Sequence, residues 1–310
     1  MAMAKPIRIL LQTTIPTIED DWSIEHFSLL RDYLASLKDD AGNSLFEVTA
    51  RDRAPRGGEA NRQEDAQGND PVLSTLGDSD FDELWLFALD TGGGLSQKDC
   101  AGIMTFHQRG KGIFTTRDHQ DMGVCMCGLG NLGALHYFQS KQQDPDEERR
   151  SIDDIYTTTI SWPNYHSGRN GDYQTIAPSY PIHELLQNST TPSGHIEFFP
   201  AHPHEGAVGI SADDKNARVI AMGKSLVSGR PFNLVVAVES TKDEQGKQLG
   251  RVVAQSTFHH FVDYNWDIEK GCPSFVSEPP GNGMKENPRA LEDIKTYVRN
   301  LALWLAPEVV

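Results

Sequence analysis

Histidines and carboxylates recur together in this chain, each time at the end of a β-rich run. Asp118 and His119 follow Ile113–Thr116, and His202, His204 and Glu205 follow His195–Phe199. His259, His260 and Asp263 follow Arg251–Phe258. Imidazole titrates near neutrality and ligates metals, so histidines gathered at one sheet edge suit acid/base catalysis or a metal centre. An H-x-H spacing on extended chain places both rings on one face. His119, His202 and His259 are therefore the candidate acid/base residues, with Asp118 and Glu205 orienting them. His202, His204, His260 and Asp263 are the candidate ligands of a divalent metal, with no other cofactor indicated.

The elements needed to position these residues alternate. Ile7–Ile15 is a nearly continuous apolar run, as in the buried first strand of a parallel sheet. Ile24, Phe27, Leu30, Leu34 and Leu37 fall at helical spacing, from a start near Asp21 or Ser23 to Gly42. Phe46–Ala50 and Phe81–Asp90 read as further strands. Between them Arg51–Asp70 is polar and aperiodic, a long mobile loop whose arginines could close over an anionic ligand or simply be solvated. Ser96 with Asp99 forms a capping box. Gly110–Gly133 reads as strand, sharp turn and helix, with Arg117 and Gln120 at the mouth of a site as substrate contacts.

This alternation predicts an α/β fold, a doubly wound, mostly parallel sheet of the flavodoxin-like kind. Residues 139–194 read as an irregular insertion or lid over the sheet edge. Arg218–Ala221, Phe232–Val238 and Arg251–Phe258 are extra C-terminal strands. Asn287 and Pro288 open a final helix over 287–306, stopped by Pro307. The 310 residues are expected to form a single domain.

Composition narrows the function. A formal net charge of −16 repels nucleic-acid backbones and anionic membranes. No apolar run is long enough to span a bilayer, and the first residues lead into a strand, so a cytoplasmic protein is expected. A small-molecule substrate is the expected partner, with a homo-oligomer open. Four cysteines are too few and too irregularly spaced for a disulfide framework. Cys125 and Cys127, placed in the helix after the turn, read as buried small hydrophobes in preference to ligands. Tyr264, Asn265 and Trp266 lie in a stretch that mixes aromatics with Asp and Asn, as a sugar site does.

The order of a strand and turn ending in His119 and Gln120, then a strand ending in His202, Pro203, His204 and Glu205, resembles the class I glutamine amidotransferase-like superfamily, over roughly Ile7–Gly206. In that family a cysteine at the turn pairs with the histidine of a His-Pro-Glu motif. Here Thr116 occupies the nucleophile position and His204 interrupts the motif. Threonine is far less acidic than a thiol, so the family's glutamine chemistry is not expected. The pattern looks nearest to the trehalose-utilisation (ThuA-like) branch, which also lacks the cysteine and is linked to sugar metabolism. The resemblance implies an amidotransferase-like protein that binds a small polar, carbohydrate-like ligand and acts through His/carboxylate chemistry, metal-assisted or not. Two alternatives stay open: a non-catalytic ligand- or partner-binding module, and a hydrolase or amidase using Thr116 as nucleophile with His202 as base.

Overall fold

The computed structural model describes residues 5–54, 68–154, 157, 159–210 and 214–307. Its strands are β1 (Ile7–Thr13), β2 (Phe46–Arg51), β3 (Glu83–Phe87), β4 (Gly112–Thr116), β5 (His136–Tyr137), β6 (Tyr173–Thr175), β7 (Ala177–Pro178), β8 (Phe198–Pro200), β9 (Ala207–Val208), β10 (Ala217–Lys224), β11 (Pro231–Val238) and β12 (Val252–Gln255). The helices are α1 (Ser28–Ser36), α2 (Gln97–Gln108), α3 (Asp263–Trp266), α4 (Gly283–Glu286) and α5 (Pro288–Leu305).

Eight strands form one sheet in the order β2-β1-β3-β4-β12-β11-β10-β7. The first five run parallel, and β11, β10 and β7 extend the sheet antiparallel. The parallel part has the flavodoxin-like order, with β12 as its fifth strand. β3 and β4 are buried at every position, as strands covered on both faces must be. α1 and α5 contribute to the apolar layer on one face, and α2 to that on the other. The sheet is thus doubly wound. Among the described residues no helix is long and apolar enough to cross a membrane.

Several expectations change in detail. A six-residue 3-10 turn, Val124–Leu129, stands where an α-helix was expected after the Asp118–His119 turn. Gly123 and Gly130 bracket it with positive φ, which closes the helix off at both ends. Cys125 is buried there and donates its thiol to Asp90 Oδ2 at 2.8 Å, while Cys127 is half-buried. The strand expected at His195–Phe199 is β8, which among the described residues pairs with β6 alone, in a small separate sheet. Ser96 and Asp99 form the expected capping box at α2. Asn287 occupies the cap position of α5 without a side-chain bond, and Pro288 supplies the first-turn φ.

Much of the polar loop expected over Arg51–Asp70 lies outside the described residues. Its described arginines are engaged: Arg51 pairs with Asp70, and Arg53, almost fully buried, pairs with Asp99. Among the described residues of 139–194 the regular elements are β6, β7 and two 3-10 turns, Glu147–Arg149 and Glu184–Leu186.

Candidate functional site

β4 and β12 are parallel neighbours, Thr116 lying opposite Gln255. Their continuations therefore leave the sheet at one edge and side by side. Phe258 N–H donates to Arg117 O at 2.9 Å, and Thr257 Oγ1 to Asp118 Oδ1 at 2.8 Å, locking the two loops together. The chain leaving β8 reaches the same place. Gly206 packs so closely on both loops that a Cβ there would stand 2.5 Å from Ser256 O and 2.6 Å from Asp118 O.

Three histidines converge on Asp118 as a result. His119 Nδ1 lies 2.8 Å from Asp118 Oδ2, His202 Nε2 lies 3.3 Å from Oδ1, and His259 Nε2 lies 3.8 Å from Oδ2. The rings of His202 and His259 stack with centroids 3.6 Å apart and planes 10° from parallel. His202 Nδ1 is held by Asn170 Oδ1 at 2.8 Å. Side-chain exposure is 1% for Asp118 and 20% for His119, so the carboxylate is sealed while His119 reaches open space.

Burial alone would raise the Asp118 pKa, but the facing His202 and His119 outweigh it and hold the carboxyl well below its usual range. Burial pushes the His202 and His259 imidazoles down, His259 well below its ordinary value. Burial thus works against a charge on His202 and His259, while Asp118 stays anionic.

These residues line a cavity of about 370 Å³. Its walls include Trp22, Met122, Ile160, Phe258, Phe275 and Val276, so the space above the polar floor is largely apolar. Residues 139–194 supply Thr157, Ile160 and Asn170 to the lining. At the rim His204 sits between Asp154, 3.0 Å from Nδ1, and Glu278, 3.6 Å from Nε2. The His204 ring is 5.5 Å from those of both His119 and His202.

The other nominated residues lie elsewhere. Glu205 is fully buried behind the cavity and accepts four bonds: from Ser167, Gln174 and His260 at Oε1 and from Ser256 at Oε2. Burial would raise its pKa, but His260 and Ser256 hold it below the usual value. His260 is committed to that network, its Nδ1 bonded to Gln255 Nε2 at 2.7 Å. Asp263 accepts from Ser28 Oγ and Leu29 N–H, a carboxylate at the start of α1 where the helix dipole favours negative charge. His202, His204, His260 and Asp263 are therefore not brought into one ligand set. The structure gathers Asp118, His202 and His259 instead, with ligand atoms within 4.8 Å of one another.

Arg117 is fully buried, bonded to Tyr137 O and Gln120 O, with its guanidinium 4.2 Å from the Phe138 ring centroid. Burial lowers its pKa to about 9. Gln120 points to Thr159 O. Asn265 bonds Ala201 O and Trp266 bonds His260 O, so these two hold backbone carbonyls; Tyr264 is buried, and none of the three lines the cavity. Thr116 is buried within the sheet, also outside the cavity lining. Sequence reasoning passed over Asn170, Asp154, Glu278 and Trp22, which stand in irregular segments without periodicity. For Asn170 the available signal was the concentration of Asn, His and aromatic residues in WPNYHSGRNGDYQ; Asp154, Glu278 and Trp22 lie outside that stretch.

No family model matches the chain. No curated protein matches it. Among solved structures it is similar to a putative ThuA-like protein from Parabacteroides merdae, at 12% identity over 99% of this chain and 93% of that one, with a TM-score of 0.44. It is similar to the glutaminase domain of the Trypanosoma brucei CTPS with bound acivicin, at 10% identity over 94% of each chain and a TM-score of 0.39. A cytoplasmic protein from Salmonella typhimurium is similar at 8% identity, over 97% of this chain and all of that one, with a TM-score of 0.47.

Proposed function

We propose that the cavity is the active site of an enzyme that transfers protons to and from a small molecule. His119 is the acid/base group and Asp118 its orienting partner. The observation that carries this reading is the convergence of His119, His202 and His259 on the single buried carboxylate of Asp118, at the floor of a cavity. Nδ1–H of His119 donates to Asp118, which fixes the tautomer and leaves Nε2 as the working atom. His204 and Glu278 stand at the rim, where they can hold a polar substituent.

The walls favour a ligand with a polar reacting group and an apolar body. A carbohydrate-like ligand would place its hydroxyls on the floor and rim and one sugar face on Trp22 or Phe275. A cytoplasmic setting agrees with four cysteines that are all free thiols.

The test is a mass-spectrometric comparison of a small-molecule extract incubated with wild-type protein, with His119→Ala and with Asp118→Asn. Compounds consumed by the wild type and spared by both variants are expected. An extract left unchanged by all three, or altered equally by them, would sink the catalytic reading and favour a binding-only module.

A further inference from the structure

His202 poses an electrostatic problem that the protein atoms alone do not solve. Its Nδ1 faces Asn170 Oδ1, an acceptor, so this nitrogen carries the proton. Its Nε2 lies 3.3 Å from Asp118 Oδ1 without a well-aligned hydrogen bond and is otherwise unpartnered among the described residues. Two electron-rich atoms at that separation repel unless a cation lies between them. His259, stacked on His202, brings a second Nε2 to the same carboxylate, and its Nδ1 is buried with no partner among the described residues.

A proton on His202 would relieve one contact and leave the other ring unsatisfied. It would also place an imidazolium flat against a second imidazole in a fully buried position. A divalent ion relieves both contacts once one ring turns out of the stack, since rings 10° from parallel do not aim both lone pairs at one point. Each oxygen of Asp118 retains lone-pair capacity after accepting from His119 or Thr257. Asn170 already holds His202 by its far nitrogen, as the outer partner of a metal-bound histidine does.

We propose that Asp118, His202 and His259 form a binding site for a divalent first-row transition-metal ion. Two imidazoles and one carboxylate suit zinc, iron or manganese and leave positions open toward the cavity. The proposal deepens the catalytic reading of the same cavity and depends on it for its purpose, but its test is metal binding and not turnover.

Tag-free full-length protein is stripped with a chelator and titrated with Zn2+ by calorimetry, and with Co2+ by visible absorption, which reports nitrogen and oxygen ligation directly. About one equivalent per chain is expected, with affinity lowered at least about 100-fold in His259→Ala and Asp118→Asn and unchanged in Glu278→Gln. If the alanine variant fails to fold by circular dichroism, His259→Gln replaces it, and the cobalt spectrum of the wild type still reads the ligand set. Failure of the wild type to bind either ion at micromolar concentration overturns the site. So does binding lost in Glu278→Gln and retained in Asp118→Asn. Protein without metal whose turnover still depends on His119 overturns the metal alone; bound metal with no turnover overturns the catalytic reading alone.

Discussion

Thr257 donates its hydroxyl to Asp118 across 2.8 Å, and through this bond the loops leaving β4 and β12 share one carboxylate. The geometry of His119 and His259 is set on either side of it. Thr257→Val removes the donor at nearly constant volume. The expected stability loss is about 1–2 kcal/mol, read from the urea midpoint, because a buried carboxylate oxygen loses a partner. Consumption of any substrate identified should fall by more than that stability change explains. An unchanged rate would mean that Asp118 is positioned without Thr257.

Glu205 is expected to govern stability. Its carboxylate gathers four donors in a dry interior, and Glu205→Gln replaces an acceptor with an amide that must face donors. A loss of about 3 kcal/mol or more is predicted, by analogy with breaking one side of a buried charged pair. Chemical denaturation monitored by tryptophan fluorescence checks it, and a change below 1 kcal/mol would show that the network tolerates the amide.

Gly206→Ala should be a costly single-methyl addition at the site. Its Cβ meets two backbone carbonyls at 2.5 and 2.6 Å, and backbone cannot move aside as a flexible side chain can. Overpacking of this kind costs about 1–3 kcal/mol or more. The midpoint of thermal unfolding should fall by several degrees, and an unaltered midpoint would show that the three loops can separate.

Asp70 gives an acid-limb prediction. Burial alone would raise its pKa, but the Arg51 pair and the amides of Ala54 and Leu73 pull it down to about 2. The folded state thus binds this proton more weakly than the unfolded state. The stabilisation is fully present above the unfolded value near 3.8 and is lost as the pH falls toward 2. Asp70→Asn should flatten the fall in stability over that window; an identical pH profile would remove Asp70 from the account.

Phe275 is 57% exposed and stands at the cavity wall. Phe275→Ala should change stability by less than about 0.5 kcal/mol, since little packing is lost. It should weaken binding of any ligand whose apolar body lies against that wall, measured as a raised Kd. An unchanged Kd would place the ligand body on the Trp22 side.

The parallel sheet was legible because strands covered on both faces must be apolar throughout, and helices must repeat near every fourth residue. Asp118, His119 and His259 were legible for a related reason: polar residues directly after such strands emerge at a known edge, whereas His202 and His204 follow β8 of the small separate sheet and were legible from their spacing with Glu205. Asn170, Asp154 and Glu278 were not, because irregular chain carries no period and their positions depend on contacts with distant segments. Tyr264, Asn265 and Trp266 show the opposite ambiguity. Aromatic and amide side chains side by side serve a ligand or a backbone carbonyl equally well, and here Asn265 and Trp266 serve carbonyls.

His202, His204 and Glu205 are nearly adjacent in sequence, yet two face the cavity and one the core. Cavity-lining imidazoles and a carboxylate of the interior thus share the same few residues. A lineage altering this protein's specificity could change the walls at Phe275, Val276 or Ile160 freely, but could not shift the register of this segment by one position without exchanging an imidazole for the carboxylate that closes the interior. The walls of the cavity are therefore free to vary, while the imidazoles and the buried carboxylate are fixed in where they stand.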